Sequence, residues 1–546
     1  MSPTGKSSRV WLRLVLRLIV ILATCTLASC SSGTASREPL TEVYSPVFRQ
    51  VPPPEPLDQT VRTLTADWRG APGDALRADF LSWQAGAAAG ALLVILIVAV
   101  DYRAPLNPRN VDLLLMWIVG ASFFNSMRFF DRLDQRAYLN LLDGVFITVF
   151  VCSGILLLRC IYLVIRPARD RWTPNPGTRG LAALALALLA LNLGLSLRAP
   201  DDAGWFANLG AQRLRERGLL PYGDPLLTST PGAAYGPLLY AAHVPFQIGL
   251  SPRPVNATSP ARPRLGENAS YYLPPALAAQ LCTAAFHLLG VASLFVASRR
   301  LANARVAWGI VCLYTGSLAV LGIGGSESSV AGITFVSHIA PSGMTLLAFA
   351  ALSYPGLAGA LLVLAAGVGF YPAFMGPAWL GYYWRRPDAR RRFILACVVT
   401  SVTVGGAVYA MSRPADGRSR LGTIIHDTFG HHTDPRGYGA SPFGFWGQRA
   451  GLRQSLMTPL ASSTTFTTPA WLALMGLIAG SFVLARGRPA GDLALLSASI
   501  AIAATLVKPH ATGTYMAWYY GLLLIGLLTP RATTETAAPS RPRGAD

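Results

Sequence analysis

Charge is scarce in this sequence. Only 13% of the 546 residues are Asp, Glu, Lys or Arg, and 52% are hydrophobic, whereas about a quarter of the residues in an average soluble domain are charged. Lysine is nearly absent, since Lys6 and Lys508 are the only two. The composition therefore excludes an ordinary water-soluble protein and predicts a membrane protein.

Cysteines in disulfide or metal-binding patterns are also lacking. The chain has seven cysteines, and most of them fall inside apolar runs without the spacing of zinc ligands. Cys30 differs, because it ends the sequence Leu27-Ala28-Ser29-Cys30 after a basic, hydrophobic N-terminus. Residues 1–30 are therefore either a lipoprotein-type signal cleaved at Cys30 or a first membrane helix.

Long apolar runs recur along the whole chain. In lipid, only helices and closed barrels pair all their backbone polar groups, so we predict an all-α, polytopic bundle of roughly 12–14 transmembrane helices. The candidate helices are residues 11–29, 85–101, 111–128, 141–165, 179–198, 272–297, 306–324, 330–353, 391–411, 465–485, 491–507 and 513–529. Prolines interrupt the apolar stretch 354–384, which predicts two short or re-entrant pieces there.

Positive charge is in excess, with a formal net charge of +20. The arginines cluster between apolar segments, for example at 166–171, 299–305 and 385–392. Such clusters hold the cytoplasmic ends of membrane helices, so we interpret them as topology signals and expect no nucleic-acid partner. The protein is expected to be a multi-pass protein of the cytoplasmic (inner) membrane.

This topology divides the chain into five parts. We predict an N-terminal membrane helix or signal (1–30), an extracytoplasmic connector (31–84), additional N-terminal membrane helices (85–178), a membrane core (179–529) and a disordered cytoplasmic tail (530–546). The core carries external loops at 199–271 and 412–464, which form a small outer layer. Loops of this length inside a bundle usually carry function, so we expect the active face to be extracytoplasmic.

The first external loop opens with carboxylates and aromatic residues. Asp201 and Asp202 favour a helix start, because carboxylates accept the first amide hydrogens and face the positive end of the helix dipole. Gly218 favours the end of that helix. The stretch predicts an amphipathic helix on the membrane surface, with Trp205 and Phe206 toward lipid or core.

Further short motifs follow this helix. They are Gly-x-x-Pro-Tyr at 218–222, Tyr-Gly-Pro-Leu-Leu-Tyr at 235–240, Ser337-His338-Ile-Ala-Pro341, Gly369-Phe370-Tyr371-Pro372, and Lys508-Pro509-His510 followed by Tyr515, Trp518, Tyr519 and Tyr520. From about residue 179 to 529 their order resembles the GT-C superfamily of membrane glycosyltransferases, and glycosyltransferase family 87 in particular. One position departs from the family, which often has Lys before the Tyr-Pro break where this chain has Gly369.

The resemblance implies an inverting glycosyltransferase with a GT-C-like fold. It would transfer mannose or a pentofuranose from a polyprenyl-phosphate donor to an envelope glycan or glycolipid, with Asp202 or Asp201 as general base. The residues expected to bind the donor phosphate or the substrate are Arg213, Arg215, Tyr222, Tyr235, His338, Tyr371, Lys508 and His510. No cofactor is implied, because the lipid-phosphate sugar is a substrate, and a divalent metal stays open.

Plainer interpretations stay open beside these. Both aspartates can simply cap their helix, and Asp224, which precedes a proline, favours a turn. His287, inside an apolar run, is expected to pack or to bridge helices. Five residues have side chains of a metal-site type, but their spacing favours a solvated polar loop. They are His426, Asp427, His431, His432 and Asp434.

Two rival functions also remain. A transporter or flippase for a lipid-linked envelope precursor would need ionisable residues in the middle of the bundle. A GT-C-like scaffold without catalysis is the other rival, and Gly369 is the reason to consider it. The sequence leaves the choice between these functions to the geometry of the site.

Overall fold

Helices dominate the fold. The computed structural model describes residues 73–126, 135–166, 172–198, 200–224, 233–250, 253–254, 272–273, 276–324, 330–433, 464–507 and 513–530. Its helices are α1 Gly73–Val98, α2 Pro108–Ser126, α3 Gln135–Ile165, α4 Thr178–Ser196, α5 Asp202–Arg217, α6 Pro237–Gln247, α7 Ala276–Leu301, α8 Ala304–Thr315, α9 Leu318–Leu321, α10 Val336–Ala350, α11 Pro355–Val368, α12 Gly376–Tyr383, α13 Pro387–Ala410, α14 Arg420–Thr433, α15 Thr464–Leu484, α16 Ala490–Val507 and α17 Tyr520–Leu528.

Strands are minor in the described ranges. Two antiparallel pairs of two-residue strands occur, β1 Arg253–Pro254 with β2 Tyr272–Leu273, and β3 Ile323–Gly324 with β4 Val330–Ala331. The prediction of an all-α helical bundle is therefore confirmed. The predicted helix 11–29, the segments 1–30 and 31–72, and residues 531–546 lie outside the described residues.

Six helices of the described part are long and apolar enough to cross a membrane. They are Ile147–Ile165, Thr178–Ser196, Ala276–Leu301, Ala304–Leu321, Pro387–Ala410 and Ala490–Val507. Shorter apolar helices accompany them, at Gly86–Val98, Val336–Ala350, Pro355–Val368 and Thr468–Leu484. This part of the chain is thus a membrane protein by helix length and composition.

The interrupted stretch 354–384 forms two pieces, as its prolines predict. Pro355 occupies the first turn of α11, where its missing amide hydrogen costs no hydrogen bond. A 3₁₀ turn at Tyr371–Met375 then leads into the short helix α12. The apolar run 306–324 is also interrupted, because α8 ends at Gly316, where a side chain would meet Val94 and the carbonyl of Cys312.

The bundle has two ends that the contacts distinguish. At the first, Gln280 at the start of α7 donates to the carbonyl of Leu197 after α4, over 2.7 Å. At the second, the hydroxyl of Tyr383, the last residue of α12, donates to the carbonyl of Leu352 after α10, over 2.8 Å. We call the first the loop end, where α4, α11 and α13 finish, and the second the arginine end, where α7, α12 and α15 finish.

Glycines allow the closest helix contacts. A Cβ on Gly343 of α10 would lie 2.7 Å from the carbonyl oxygen of Phe286 in α7. A Cβ on Gly236, just before α6, would lie 2.4 Å from the carbonyl oxygen of Gly367 and 2.5 Å from that of Val368, at the end of α11. Small residues of this kind let membrane helices approach backbone to backbone.

A buried polar contact joins α4 and α7 inside the bundle. The Asn192 amide nitrogen lies 3.3 Å from Nε2 of His287 and donates to the carbonyl of Thr315 over 3.2 Å. Both Asn192 and His287 are fully buried. The prediction that His287 packs or bridges helices is therefore confirmed.

Helix α13 lies at the edge of the bundle. Only 6% of its apolar window is buried inside the protein, and its exposed residues include Val398, Val402 and Tyr409. It packs mainly along α11, where a Cβ on Gly359 would lie 2.8 Å from the carbonyl oxygen of Phe393. Most of its apolar surface is therefore available to lipid.

The contact at Gly236 can be tested by adding one methyl group. We expect Gly236→Ala to destabilise the protein by about 1–3 kcal/mol, because the new carbon meets two backbone carbonyls that cannot rotate away. The matched control is Gly177→Ala. Gly177 also precedes a helix with extended backbone, and a Cβ added there would have no other atom within 4 Å. Thermal unfolding in detergent measures both, and equal stability of the two variants would contradict the packing argument.

Candidate functional site

Helix α5 begins and ends as its sequence predicts. Asp201 is its N-cap, and Oδ1 of Asp201 accepts a hydrogen bond from the amide of Gly204 over 2.7 Å. Gly218 ends the helix in the left-handed conformation, with φ of 66°, which glycine adopts without a Cβ clash. Asp202 is the first helical residue. One predicted catalytic candidate therefore has a defined structural task, which does not exclude a chemical one.

The start of α5 lies beside the start of α10. A Cβ on Gly204 would lie 3.5 Å from a methyl group of Val336, which is two residues before His338. Trp205 and Phe206 are buried, at 4% and 3% exposure, so they face the protein core rather than lipid. Asp201 is itself only 3% exposed. The fold thus brings the aspartate pair near the first turn of the helix that carries His338.

His338 sits in an aromatic cluster at the loop end. Nε1 of Trp518 donates to Nδ1 of His338 over 2.9 Å, so a neutral imidazole at this position carries its proton on Nε2. Tyr515 packs edge-on against the histidine ring, with centroids 4.7 Å apart. Tyr371 stacks on Trp518, with centroids 4.3 Å apart and 9° between the planes. Two predicted site residues, His338 and Tyr371, are therefore joined through Trp518.

A cleft lies next to this cluster, deeper in the bundle. It has room for about one water molecule, and its lining comes from α2, α3, α16 and residues 513–519. The lining residues are Val119, Val149, Phe150, Ser153, Thr505, Leu506, Tyr515, Met516 and Tyr519. Tyr515 belongs to both features, so the cleft adjoins the aromatic cluster.

The break before Tyr371 leaves no room for a side chain. A Cβ on Gly369 would lie 2.9 Å from Cγ of Pro341 and 3.8 Å from the carbonyl oxygen of Ser337. The backbone there is extended, with φ of −154°, so the contact with α10 is the feature that favours glycine. The departure from the family pattern thus coincides with tight packing against the helix of His338.

The two long loops meet at the loop end. The amide of Leu220 donates to the carbonyl of Met411 over 2.8 Å, and the amide of Gly223 donates to Oδ2 of Asp427 over 2.7 Å. Asp224 forms ion pairs with Arg213 and Arg413, at 3.4 and 3.8 Å. These contacts join the segment after α5 to the residues just after α13 and to α14.

Asp224 therefore has two roles. Its amide donates to the carbonyl of Pro221 over 2.9 Å, which is the turn that the sequence favours. Its carboxylate is buried at 8% side-chain exposure and is neutralised by Arg213 and Arg413. Sequence reasoning found the turn but missed the ion pairs, because Arg413 comes from the other long loop.

The predicted phosphate-binding arginines both make structural contacts. Arg213 pairs with Asp224, and the Arg215 guanidinium donates to the carbonyl of Gln247 at the end of α6, over 3.1 Å. Lys508 and His510 lie outside the described residues. Of the four cationic candidates, the described two thus hold together the loops and short helices at the loop end.

The tyrosines of the motifs at 218–222 and 235–240 are mostly enclosed. Tyr222 and Tyr240 are fully buried and meet edge to face, with centroids 6.1 Å apart. The Tyr222 hydroxyl donates to the carbonyl of Tyr235 over 3.0 Å. Burial raises the pKa of both Tyr222 and Tyr240 well above its usual value. Their rings belong to the buried core of the loop end, and Tyr235 beside them is half-buried.

The interpretation of 426–434 as a solvated loop is wrong for its first eight residues. Residues 426–433 belong to α14, and Asp427 is only 9% exposed. Nδ1 of His426 lies 3.1 Å from Oδ1 of Asp427. His431 and His432 continue the helix, and Asp434 lies outside the described residues. Within the described residues, no group of three or more His, Cys, Asp or Glu side chains could hold a metal ion.

A polar seam between α5 and α6 escaped the sequence reasoning. Nε2 of Gln247 donates to the side chain and the carbonyl of Asn208, each over 2.6 Å. Nδ1 of His243 lies 2.8 Å from the carbonyl of Leu239, and His243 is fully buried. The spacing of His243 and Gln247 by four residues is the signal that indicates one helix face.

Acid should weaken this seam. Burial lowers the pKa of His243 to about 4, although its hydrogen bond to the Leu239 carbonyl acts in the opposite direction. A histidine whose pKa is lower in the folded than in the unfolded state binds its proton more tightly when the protein is unfolded. The folded state therefore loses stability as the pH falls below the unfolded pKa. We expect this effect of His243 to lower the free energy of unfolding by up to about 3 kcal/mol as the pH falls from 6.5 to 4.

Thermal unfolding of the wild type and of His243→Gln at pH 7.5 and pH 4.5 measures this loss. The difference in stability between the two pH values should be smaller in the variant, because glutamine does not titrate. An equal loss in both proteins would contradict the assignment to His243.

The described residues thus assemble three groups at the loop end: the start of α5 with its cap Asp201, the His338 cluster and the contacts between the long loops. Comparison of the chain with protein-family models, curated proteins and solved structures found no match. The geometry of these three groups is therefore the basis of the functional proposal.

Proposed function

We propose that this protein is an inverting membrane glycosyltransferase that uses a polyprenyl-phosphate sugar. One observation carries the proposal: the start of α5 lies close to the start of α10, at one end of an apolar bundle. Asp201 and Asp202 are at the start of α5, and His338 is in the first turn of α10. The motif order that resembles GT-C enzymes agrees with this arrangement. A bundle of roughly 12–14 spans with its active face outside the cytoplasm belongs to the same proposal.

The reaction needs one base and one site for the leaving group. The acceptor hydroxyl oxygen forms a bond to the anomeric carbon while the bond from that carbon to the phosphate oxygen breaks. The hydroxyl proton passes to the carboxylate of Asp202 or Asp201, and polyprenyl phosphate leaves with the electron pair. A single displacement of this kind inverts the anomeric configuration. A positioned base contributes about 10²- to 10⁴-fold to such a step.

The aromatic cluster supports sugar or phosphate binding. His338 and Trp518 carry polar hydrogens on aromatic rings, and Tyr371 stacks on Trp518. Flat rings with polar edges suit a sugar, which presents both apolar faces and hydroxyl groups.

The leaving phosphate requires hydrogen-bond donors or cations. Arg213 and Arg215 already hold Asp224 and the end of α6. We therefore assign the phosphate role first to Lys508 and His510. Lys508 follows the cleft-lining residue Leu506 by two positions in the chain, and His510 precedes Tyr515 by five.

Asparagine substitutions separate the two tasks of the aspartates. Asparagine caps helices about as well as aspartate, so Asp201→Asn keeps the hydrogen bond to Gly204 but cannot accept a proton. We expect Asp202→Asn or Asp201→Asn to lower sugar transfer from polyprenyl-phosphate donors by about 10²- to 10⁴-fold with unchanged thermal stability. The matched control is Asp416→Asn, which removes an exposed carboxylate from the loop between α13 and α14.

The outcomes of this experiment separate the rival functions. Full transferase activity in both variants rules out the proposed base. Absence of transferase activity in the wild type, with loss of lipid-precursor transport in cells lacking the protein, favours the flippase. Absence of both activities favours a scaffold without catalysis.

A further inference from the structure

Two distant segments meet at the arginine end. Helices α12 and α15 are in such close contact that a Cβ on Gly381 would overlap the backbone of Phe482. The residues that follow each helix are therefore neighbours, namely 384–390 after α12 and 485–488 after α15. In the sequence they are two separate arginine clusters, but in the fold they form one.

This joint cluster has a strong excess of positive charge. The segments 376–410 and 464–507 contain seven arginines and two aspartates. The arginines are Arg385, Arg386, Arg390, Arg391, Arg392, Arg486 and Arg488, and the aspartates are Asp388 and Asp492. Asp492 is fully buried and lies 3.9 Å from the Arg488 guanidinium. Within the described residues, no ion pair joins Arg385, Arg390 or Arg486 to a carboxylate.

Trp384 contacts two of these arginines, and a third lies against the neighbouring Gly487. The guanidinium carbon of Arg390 lies 4.6 Å from the centre of the indole, and that of Arg486 lies 5.1 Å from it. Arg486 also lies 4.2 Å from the ring of Phe482, which packs edge-on against Trp384. The Arg385 guanidinium lies against Gly487, where a Cβ would be 2.9 Å from one of its nitrogens. These ring and backbone contacts hold the guanidinium groups in place.

Like charges gathered in this way repel one another unless an anion lies between them. Guanidinium groups bind phosphate oxygens through paired hydrogen bonds, and ring stacking reduces the side-chain entropy that binding would otherwise cost. Basic pockets between membrane helices are known to hold anionic lipid headgroups. The cluster stands where α12, α13, α15 and α16 reach one end of the bundle, which is the level of the headgroups.

We propose that Arg390 and Arg486, which both contact Trp384, and Arg385, which lies against Gly487, form a binding site for the phosphate group of an anionic lipid. This site is at the opposite end of the bundle from the aspartates, and its occupation does not depend on any transferase activity. The ligand chemistry is a phosphate monoanion at the membrane surface. A free phosphate ion would present the same oxygens, so the experiment compares both sources.

Lipid binding to the purified full-length protein in neutral detergent tests this proposal. Native mass spectrometry would follow titration with short-chain phosphatidylglycerol, with phosphatidylcholine as a zwitterionic comparison, and inorganic phosphate as competitor. We expect phosphatidylglycerol to bind and phosphatidylcholine to bind at least about tenfold more weakly. Competition by inorganic phosphate at millimolar concentration would indicate a soluble ligand for the same site.

Matched variants distinguish a site from a charged surface. The double variant Arg390→Gln with Arg486→Gln should weaken phosphatidylglycerol binding at least about tenfold. The control double variant Arg391→Gln with Arg392→Gln removes the same charge from exposed positions at the same end. It should change the binding less than about twofold. Trp384→Leu should also weaken binding although it removes no charge.

Two results would overturn the proposal. One is an equal loss of binding in both double variants, which would mean that net charge alone attracts the lipid. The other is the absence of selectivity for phosphatidylglycerol over phosphatidylcholine in the wild type. Thermal unfolding of each variant confirms that the folded protein is being compared.

Discussion

Close backbone contact between helices, made possible by glycine, is the constraint on which the site depends. Lipid provides no hydrophobic drive for helices to associate, so packing and interhelical hydrogen bonds must supply it. Gly343 lets α10 pack closely against α7, and Gly236 lets the start of α6 pack closely against the end of α11. Gly210 brings α5 against the ring of Tyr240. The aspartates reach the first turn of α10 because all of these contacts hold at once.

Much of the fold could be read from the sequence, and the reason is the bilayer. A span must be apolar along its whole length, so α4, α7, α13 and α16 begin and end within a few residues of their predicted bounds. Helix α5 could be predicted equally well, because aspartate, as at Asp201, favours the start of a helix and glycine, as at Gly218, favours its end. Local signals of this kind do not require knowledge of the rest of the molecule.

The site was harder to foresee, because its contacts join segments far apart in the chain. Asp427 meets the amide of Gly223 across more than two hundred residues, and Asp224 meets Arg413 across nearly as many. Helix α14 was also missed, since its single apolar stripe is short and faces outward at Leu421, Ile425 and Phe429. No spacing rule links such positions, whereas His243 and Gln247 follow the four-residue spacing of a helix face.

Helix α13 has a mechanical consequence for the loop end. Only 6% of its apolar window is buried inside the protein, and a helix with few protein neighbours adjusts its tilt to the bilayer thickness more easily than a fully packed one. The carbonyl of Met411 and the side chain of Arg413, just beyond its last turn, bind the segment that follows α5. A change in the tilt of α13 is therefore expected to shift Gly223 and Leu220 through these contacts, which would couple bilayer thickness to the arrangement of the loop end.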